Sequence, residues 1–220
     1  MNVSFTPVQT PGRAGSMDLV AGVVCLDFVN TLDPRVVTAD GTIPRNYLTG
    51  YEELVAFVIH TGVLDETHGQ RLLQGAAQTP EQIQRVLERA LALRETFYSI
   101  FSAIAQQREV PNEAFAALTD AYSQAVAHGR IVPVDDSFSL VWAADAVDLH
   151  SPLWPIVSSA VTLLLHGEKD RMKECSGCGW LFYDTSKNNS RRWCSMRTCG
   201  MESKDRRRGK RKRASTNDES

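Results

Sequence analysis

The sequence predicts a mainly α-helical protein of the α+β class, in which a helical N-terminal body with a small β-hairpin precedes a compact four-cysteine unit. Three observations support this class. Apolar residues recur at helical spacing over most of residues 1–168, the pattern becomes strand-like only near residue 130, and four of the five cysteines follow residue 174. The apolar fraction of 43% is sufficient for a core, and no apolar run is long enough to span a membrane.

The first elements of the body surround a proline-containing loop. Residues 18–32 are apolar nearly all round, so a helix and a buried strand both remain open. Residues 33–48 contain two prolines and an Asp-Gly pair and are predicted to form a loop. A helix then begins near Thr49, which has capping-box spacing to Glu52, and it ends at Gly62.

Capping residues delimit the helices that follow. Asp65 is predicted to cap the first of them, and the sequence Thr-Pro-Glu-Gln at 79–82 starts the second with a first-turn proline. Three helices are predicted, running from about Asp65 to Gln78, from Thr79 to Arg108 and from Asn112 to Gly129.

The last part of the body changes period. Segments 130–134 and 138–143 are predicted to form a hairpin around a three-residue turn, Asp135 to Ser137. A final apolar helix runs from Ser151 to Gly167. Segment 168–174 is polar and is interpreted as a connector, so the body is expected to fold without the unit that follows.

The four clustered cysteines have the spacing C-x2-C-x15-C-x4-C, at Cys175, Cys178, Cys194 and Cys199. Two short-spaced thiolate pairs joined by a loop supply the tetrahedral sulfur ligands that Zn²⁺ prefers, so a structural zinc site is predicted. The chain begins without a basic region followed by an apolar stretch, which predicts no signal peptide; thiols that stay reduced favour zinc over disulfides. The fifth cysteine, Cys25, lies in an apolar stretch and is predicted to be a core residue.

Charge is distributed unevenly along the chain. Residues 1–168 carry 9 basic and 19 acidic residues, a net charge of −10, whereas residues 169–213 carry 15 basic and 5 acidic residues, a net charge of +10. A small unit that is held together by a metal and carries many basic residues is suited to bind a polyanion, so nucleic acid is the expected partner. The candidate contact residues are Lys187, Arg191, Arg192, Arg197, Lys204, Arg206, Arg207 and Arg208. The alternative is that these charges are merely solvated surface.

The cysteine unit resembles a known family. Its Cys178-Gly179-Trp180, its Arg-Arg-Trp-Cys-Ser-Met at 191–196 and its Cys199-Gly200 resemble the CGNR zinc-finger family, and the unit is expected to be a treble-clef-like or knuckle-type finger. The body resembles the ABATE-type domain that precedes this finger, through Leu-Asp-Phe-Val-Asn-Thr at 26–31 and the segment 51–57. The resemblance implies a bacterial, stress-related transcription regulator.

One position departs from the family pattern. The family's Asn-Arg pair after Cys-Gly is replaced here by Met201-Glu202. An arginine there is suited to contact phosphate or a base edge, whereas a glutamate repels phosphate. Either base readout differs in this protein, or the basic run from Lys204 supplies the affinity instead.

These observations predict three segments: an ABATE-like body that senses a signal or dimerises (1–168), a CGNR-type finger (169–208) and a disordered tail, basic and then acidic (209–220). The expected protein binds DNA in the bacterial cytoplasm, associated with the nucleoid, as a homodimer or with a partner regulator, because one finger reads too few base pairs. RNA binding, and a protein-interaction module without nucleic-acid binding, are the alternatives. No catalytic motif is found, so no enzyme is expected.

A ligand site in the body is a further alternative. Asp27, Asn30 and Thr31 are polar residues inside an apolar stretch, and such groups need partners when buried. They are expected either to lock the neighbouring loop or to line a small-molecule pocket.

Overall fold

The computed structural model describes residues 13–36, 44–142 and 148–205. It confirms the predicted class: a helical body, small antiparallel sheets and a four-cysteine finger. The helices of the body are α1 (Val24–Val29), α2 (Tyr51–His60), α3 (Glu66–Ala76), α4 (Pro80–Ala105), α5 (Asn112–Val126) and α6 (Leu153–His166). The strands pair as β1 (Leu32–Asp33) with β2 (Arg45–Asn46), β3 (Gly129–Val134) with β4 (Ser137–Trp142), and β5 (Met172–Glu174) with β6 (Leu181–Tyr183).

The short helix α1 lies at the centre of the molecule. It contacts α4, α6 and strand β6, so neighbours surround it on several sides. The Phe28 ring packs against Phe57 of α2 and Phe97 of α4, with ring centroids 5.8 and 6.2 Å apart. This position explains why its sequence is apolar nearly all round: no face of α1 is left for solvent. Cys25 is fully buried here, as predicted, and burial raises the pKa of its thiol to about 12.

Capping predictions had mixed outcomes. The Asp65 side chain accepts a hydrogen bond from the His68 backbone N–H at 2.8 Å, which confirms the predicted cap of α3. The capping box at Thr49 is wrong, because α2 starts one residue later than that box requires, with Gly50 as N-cap and no side-chain cap. Gly62 lies just after the end of α2 and has φ of +73°, the left-handed conformation that favours glycine.

Two predictions about loops are corrected. The β3–β4 turn contains two residues rather than three, because Ser137 pairs with Val134 and leaves Asp135 and Asp136 as the loop. Asp135 adopts φ of +50°, which aspartate tolerates in such turns. The predicted loop 33–48 also includes paired strand residues, because Asp33 of β1 pairs with Arg45 of β2 and the neighbouring Leu32 pairs with Asn46.

The polar connector predicted at 168–174 is also wrong. Residues Lys169–Arg171 form a 3₁₀ turn, and Met172–Glu174 is strand β5, with Met172 buried. The β5–β6 hairpin packs on α4 and α1, and its buried residues are continuous with the core of the body. Within the described part of the chain, no helix is both long and apolar enough to cross a membrane.

Candidate metal centre and nucleic-acid interface

The four cysteines of the finger converge on one point. The Sγ atoms of Cys175, Cys178, Cys194 and Cys199 all lie within 4.8 Å of one another. The separation is 3.5 Å between Cys178 and Cys194 and 3.7 Å between Cys194 and Cys199. Sulfur atoms bound to Zn²⁺ at about 2.3 Å in a tetrahedron lie about 3.8 Å apart, whereas disulfide sulfurs lie about 2.05 Å apart. The quartet therefore fits a four-coordinate metal and not a pair of disulfides.

A tight turn between β5 and β6 presents the first cysteine pair. The Cys175 N–H donates to the Trp180 carbonyl, and the Gly179 N–H donates back to the Cys175 carbonyl, both at 2.8 Å. Gly179 has φ of +77°, and a Cβ atom there would lie 2.9 Å from the Cβ of Arg35. Only glycine satisfies both the turn and the close approach of the body, so this residue serves the metal turn and the docking of the finger together.

The second cysteine pair lies at the start of the last helix. Residues Met196–Gly200 form a wide, π-helical turn, closed by a hydrogen bond from the Gly200 N–H to the Ser195 carbonyl, and the helix continues over 201–205. The Ser195 hydroxyl accepts from the Arg197 N–H and caps the helix. This helix therefore begins directly after Ser195 and holds Cys199 in its first turn.

Hydrogen bonds organise the loop between the cysteine pairs. The Asp184 carboxylate is fully buried and accepts from the Ser186 N–H, the Lys173 ammonium and the Arg191 N–H at 2.8 to 2.9 Å. Burial opposes ionisation of Asp184, but the bonds from Ser186 and Lys173 outweigh it and lower the pKa of this carboxyl. Among the thiols, hydrogen bonds from Cys178 lower the pKa of Cys175.

The finger is clamped to the body through main-chain groups. The Asn30 amide donates to the Leu181 carbonyl and accepts from the Leu181 N–H, at 2.8 and 2.9 Å. The Tyr183 N–H donates to the Ala21 carbonyl, and the Arg35 N–H donates to the Cys178 carbonyl. These bonds join residues more than a hundred positions apart in the sequence.

The residues considered for a ligand pocket have protein partners. Asn30 binds Leu181, and Thr31 donates to the Phe28 carbonyl at 2.7 Å. Asp27 accepts from the Ala21 N–H at 3.0 Å, while burial raises the pKa of its carboxyl to about 6. All three side chains are buried, and each is bonded to main-chain groups of the protein.

A small cavity of about 160 Å³ lies elsewhere in the body, between α4, α5 and α6. Its lining includes Asp148, His150 and His128, and the His128 ring stacks on Trp154 at a centroid distance of 4.3 Å. His128 and His150 belong to no cluster of histidines in the sequence.

The predicted nucleic-acid residues separate into three groups. Lys187, Arg192, Arg197 and Lys204 are exposed. Arg206, Arg207 and Arg208 lie outside the described residues. Arg191, by contrast, points into the protein: its guanidinium donates to the carbonyls of Val20, Trp193 and Cys194 and lies 4.4 Å from the Phe182 ring centroid. With its donors engaged in this way, Arg191 holds the metal loop on the body.

A cleft between the body and the finger adds basic residues that the sequence did not single out. It has a volume of about 750 Å³ and lies between the end of α4 and the finger. Its charged lining consists of Arg108, Lys169, Asp170, Lys173, Glu174, Arg191 and Arg192. Glu174 is satisfied within the protein by Tyr98, Ser102 and Gln106. Lys169 lies in the segment that was interpreted as a connector, and Arg108 lies at a helix end. The sequence around neither residue indicates that it lines a cleft.

Comparison with known families agrees with both parts of this architecture. The ABATE family model, described as "Putative stress-induced transcription regulator", matches residues 22–167. The CGNR zinc-finger model matches residues 171–212 and includes the four cysteines. No curated protein matches the chain.

Proposed function

The chain belongs to the ABATE family and ends in a CGNR zinc finger, and on this premise we propose that it is a zinc-dependent, DNA-binding transcription regulator. The observation that carries the proposal is the cluster of four sulfurs, which fixes a small finger that exposes the basic residues Lys187, Arg192, Arg197 and Lys204. The body senses a signal or dimerises. The protein acts in the cytoplasm, on the nucleoid.

The metal has a structural role in this proposal. Zn²⁺ supplies four strong bonds to thiolates, which holds a unit too small to have a sufficient core of its own. Four cysteines leave no open coordination position, so the proposal assigns the site no catalytic reaction. The chain's own residues then orient the finger: Asp184 and Arg191 hold the loop between the cysteine pairs.

The nucleic acid is bound through the exposed cations. Arg192 lines the cleft, and Arg197 and Lys204 lie on the helix that starts at the metal site. The body, with a net charge of −10 over residues 1–168, repels phosphate and orients the finger toward it. Each neutralised phosphate releases counterions, so affinity should fall steeply with salt.

The cleft suggests how the phosphate backbone crosses the molecule. Arg108 of the body and Lys169 and Arg192 of the finger line the same groove. A backbone that lies along it receives cations from both units, while the helix after Cys199 remains free to enter a groove of the duplex. Met201 and Glu202 are exposed on that helix, where Glu202 acts against phosphate binding.

The deciding experiment titrates the zinc-loaded protein onto labelled duplex DNA and onto RNA of the same sequence at several salt concentrations. The expected result is tighter binding to the duplex, with a steep salt dependence that disappears when zinc is removed. Arg192→Ala should weaken binding, whereas Arg85→Ala, at the opposite end of α4, should not. Preference for RNA would support the RNA-binding alternative, and absence of salt-sensitive binding would support the protein-interaction module.

A further inference from the structure

The cavity between α4, α5 and α6 has an apolar floor. Its volume is about 160 Å³, and two alanines of α5 that lie one helical turn apart leave room for it. The buried apolar residues that line it are Leu93, Ala121, Ala125, Leu153, Trp154 and Val157. An apolar cavity of about 150 Å³ can hold benzene, whereas sites for drug-sized ligands measure about 300–1,000 Å³. The cavity is therefore of a size for a ligand with a single ring.

One wall of the cavity is aromatic. The His128 and Trp154 rings both line it, and they stack with an interplanar angle of 8°. Trp154 is buried, whereas His128 and its neighbour Gln124 are exposed, so the wall runs from the floor to a rim that solvent reaches. Aromatic side chains favour edge-to-face and offset contacts with a further ring. A ligand can therefore enter past His128 and place a ring against Trp154.

Arg89 brings an uncompensated positive charge to this cavity. Among the described residues it forms no ion pair. Its Nη2 donates to the neutral Gln124 amide at 2.7 Å, and Gln124 in turn donates to Asp120, which does not line the cavity. A guanidinium has five N–H donors, so Arg89 retains donors for an incoming anion.

The one carboxylate in the described lining has its own partner. The Asp148 carboxylate accepts a hydrogen bond from the His150 backbone N–H at 2.8 Å and lies 3.3 Å from the His150 Nδ1 atom. It therefore does not compete for the Arg89 guanidinium, on the other side of the cavity lining, through any ion pair of the described residues.

This lining selects among classes of ligand. Arg89 repels a cation, and the cysteine quartet is the only group of three or more metal-ligand side chains that converges within the described residues, so these histidines form no metal site. Phosphate has no apolar part to cover the floor. A carboxylate matches a guanidinium through two parallel hydrogen bonds, and an attached ring matches the floor and the aromatic wall.

We propose that the cavity binds a small aromatic monocarboxylate, with its ring on the apolar floor and its carboxylate on Arg89. The proposal rests on the proposed function in one respect, because it identifies this molecule as the signal that the body senses. His128 directly precedes the β3–β4 ribbon, residues 129–142, and Trp154 packs against Trp142 of that ribbon. Binding itself involves no DNA, zinc ligand or finger residue, so ligand binding and DNA binding can fail independently.

The test is isothermal titration calorimetry of the zinc-loaded full chain with benzoate, without DNA. One benzoate per chain should bind saturably, with a dissociation constant in the millimolar range or lower. Benzamide lacks the charge and acetate lacks the ring, so each should bind at least about tenfold more weakly. Arg89→Met keeps the apolar stem, removes the guanidinium and should weaken benzoate binding by a similar factor. Arg85→Met is the matched control, because Arg85 is exposed on the same helix and does not line the cavity.

A second variant tests the floor. Ala121→Leu fills the cavity and should abolish benzoate binding, while circular dichroism and zinc content verify that the protein folds. If this variant does not fold, Arg89→Met and the ligand series decide. Absence of saturable benzoate binding to the wild type would overturn the proposal, and so would wild-type affinity in Arg89→Met or in folded Ala121→Leu. Equal affinity for benzamide or for inorganic phosphate would also overturn it, because phosphate reports non-specific binding of anions to the basic end of the chain.

Discussion

The contact between Asn30 and Leu181 should couple the stability of the body to the metal centre. Asn30 has no exposed surface, and its side-chain amide satisfies both main-chain groups of Leu181, which is itself buried in strand β6. Asn30→Ala leaves a buried N–H and a buried carbonyl without partners. Each such group costs about 1–3 kcal/mol, so the free energy of unfolding should fall by about 2–6 kcal/mol. A typical domain has only about 5–15 kcal/mol in total.

The assay is urea unfolding of the zinc-loaded protein, followed by tryptophan fluorescence and circular dichroism, with zinc release into a colorimetric chelator measured in parallel. Asn30→Ala should shift the midpoint without changing the slope, and zinc release should accelerate because β6 leads directly from the Cys178 turn. Asn188→Ala is the matched control: it makes the same chemical change at an exposed residue of the finger. If Asn30→Ala unfolds within about 0.5 kcal/mol of the wild type and releases zinc at the wild-type rate, the clamp has no energetic role.

Three further predictions concern the metal and the basic surface. Purified protein should contain about one zinc per chain, and Cys178→Ser or Cys194→Ser should lose it, as measured by elemental analysis; full retention in both would contradict the site. Arg108→Ala should weaken duplex binding and flatten its salt slope by about one ion, as Arg192→Ala does, if the cleft carries the phosphate backbone; an unchanged slope would place the DNA elsewhere. Glu202→Arg should tighten general duplex binding, by about 1 kcal/mol in titrations at low salt, because it removes like-charge repulsion; weaker binding on the specific duplex alone would instead identify Glu202 as a base reader.

The sequence was sufficient for features whose cause is local. The cysteine spacing identified the quartet because the short intervals within each pair constrain where the ligands lie. The long helices followed from apolar periodicity, and the Asp65 cap followed from one side chain and the N–H three residues later. These signals do not depend on what packs against the element.

Features that depend on distant partners were not predictable. Asn30 and Leu181 are 151 positions apart, so nothing around Asn30 indicates that its amide clamps a strand of the finger. Adjacent charges of the same sign can also differ in their partners. Arg191 and Arg192 both line the cleft, yet the Arg191 guanidinium is bonded to main-chain carbonyls of the protein, whereas Arg192 is exposed. The segment 168–174 was misread because strand β5 is polar except at Met172, which the body buries.

The clamp restricts how a signal in the body could reach the DNA. Hydrogen bonds from Asn30, Ala21 and Arg35 attach the finger on both sides of the Cys178 turn, so a swing of the finger alone would break several buried bonds at once. Motion of whole protomers about a dimer interface breaks none of them. The small cavity beside His128 adjoins the base of the ribbon, where Trp142 packs on Trp154 with ring centroids 6.2 Å apart. In the proposed homodimer, an event in that cavity would therefore act on the spacing of the two body–finger units rather than on the finger itself, and half-site spacing is the quantity that a dimeric regulator reads.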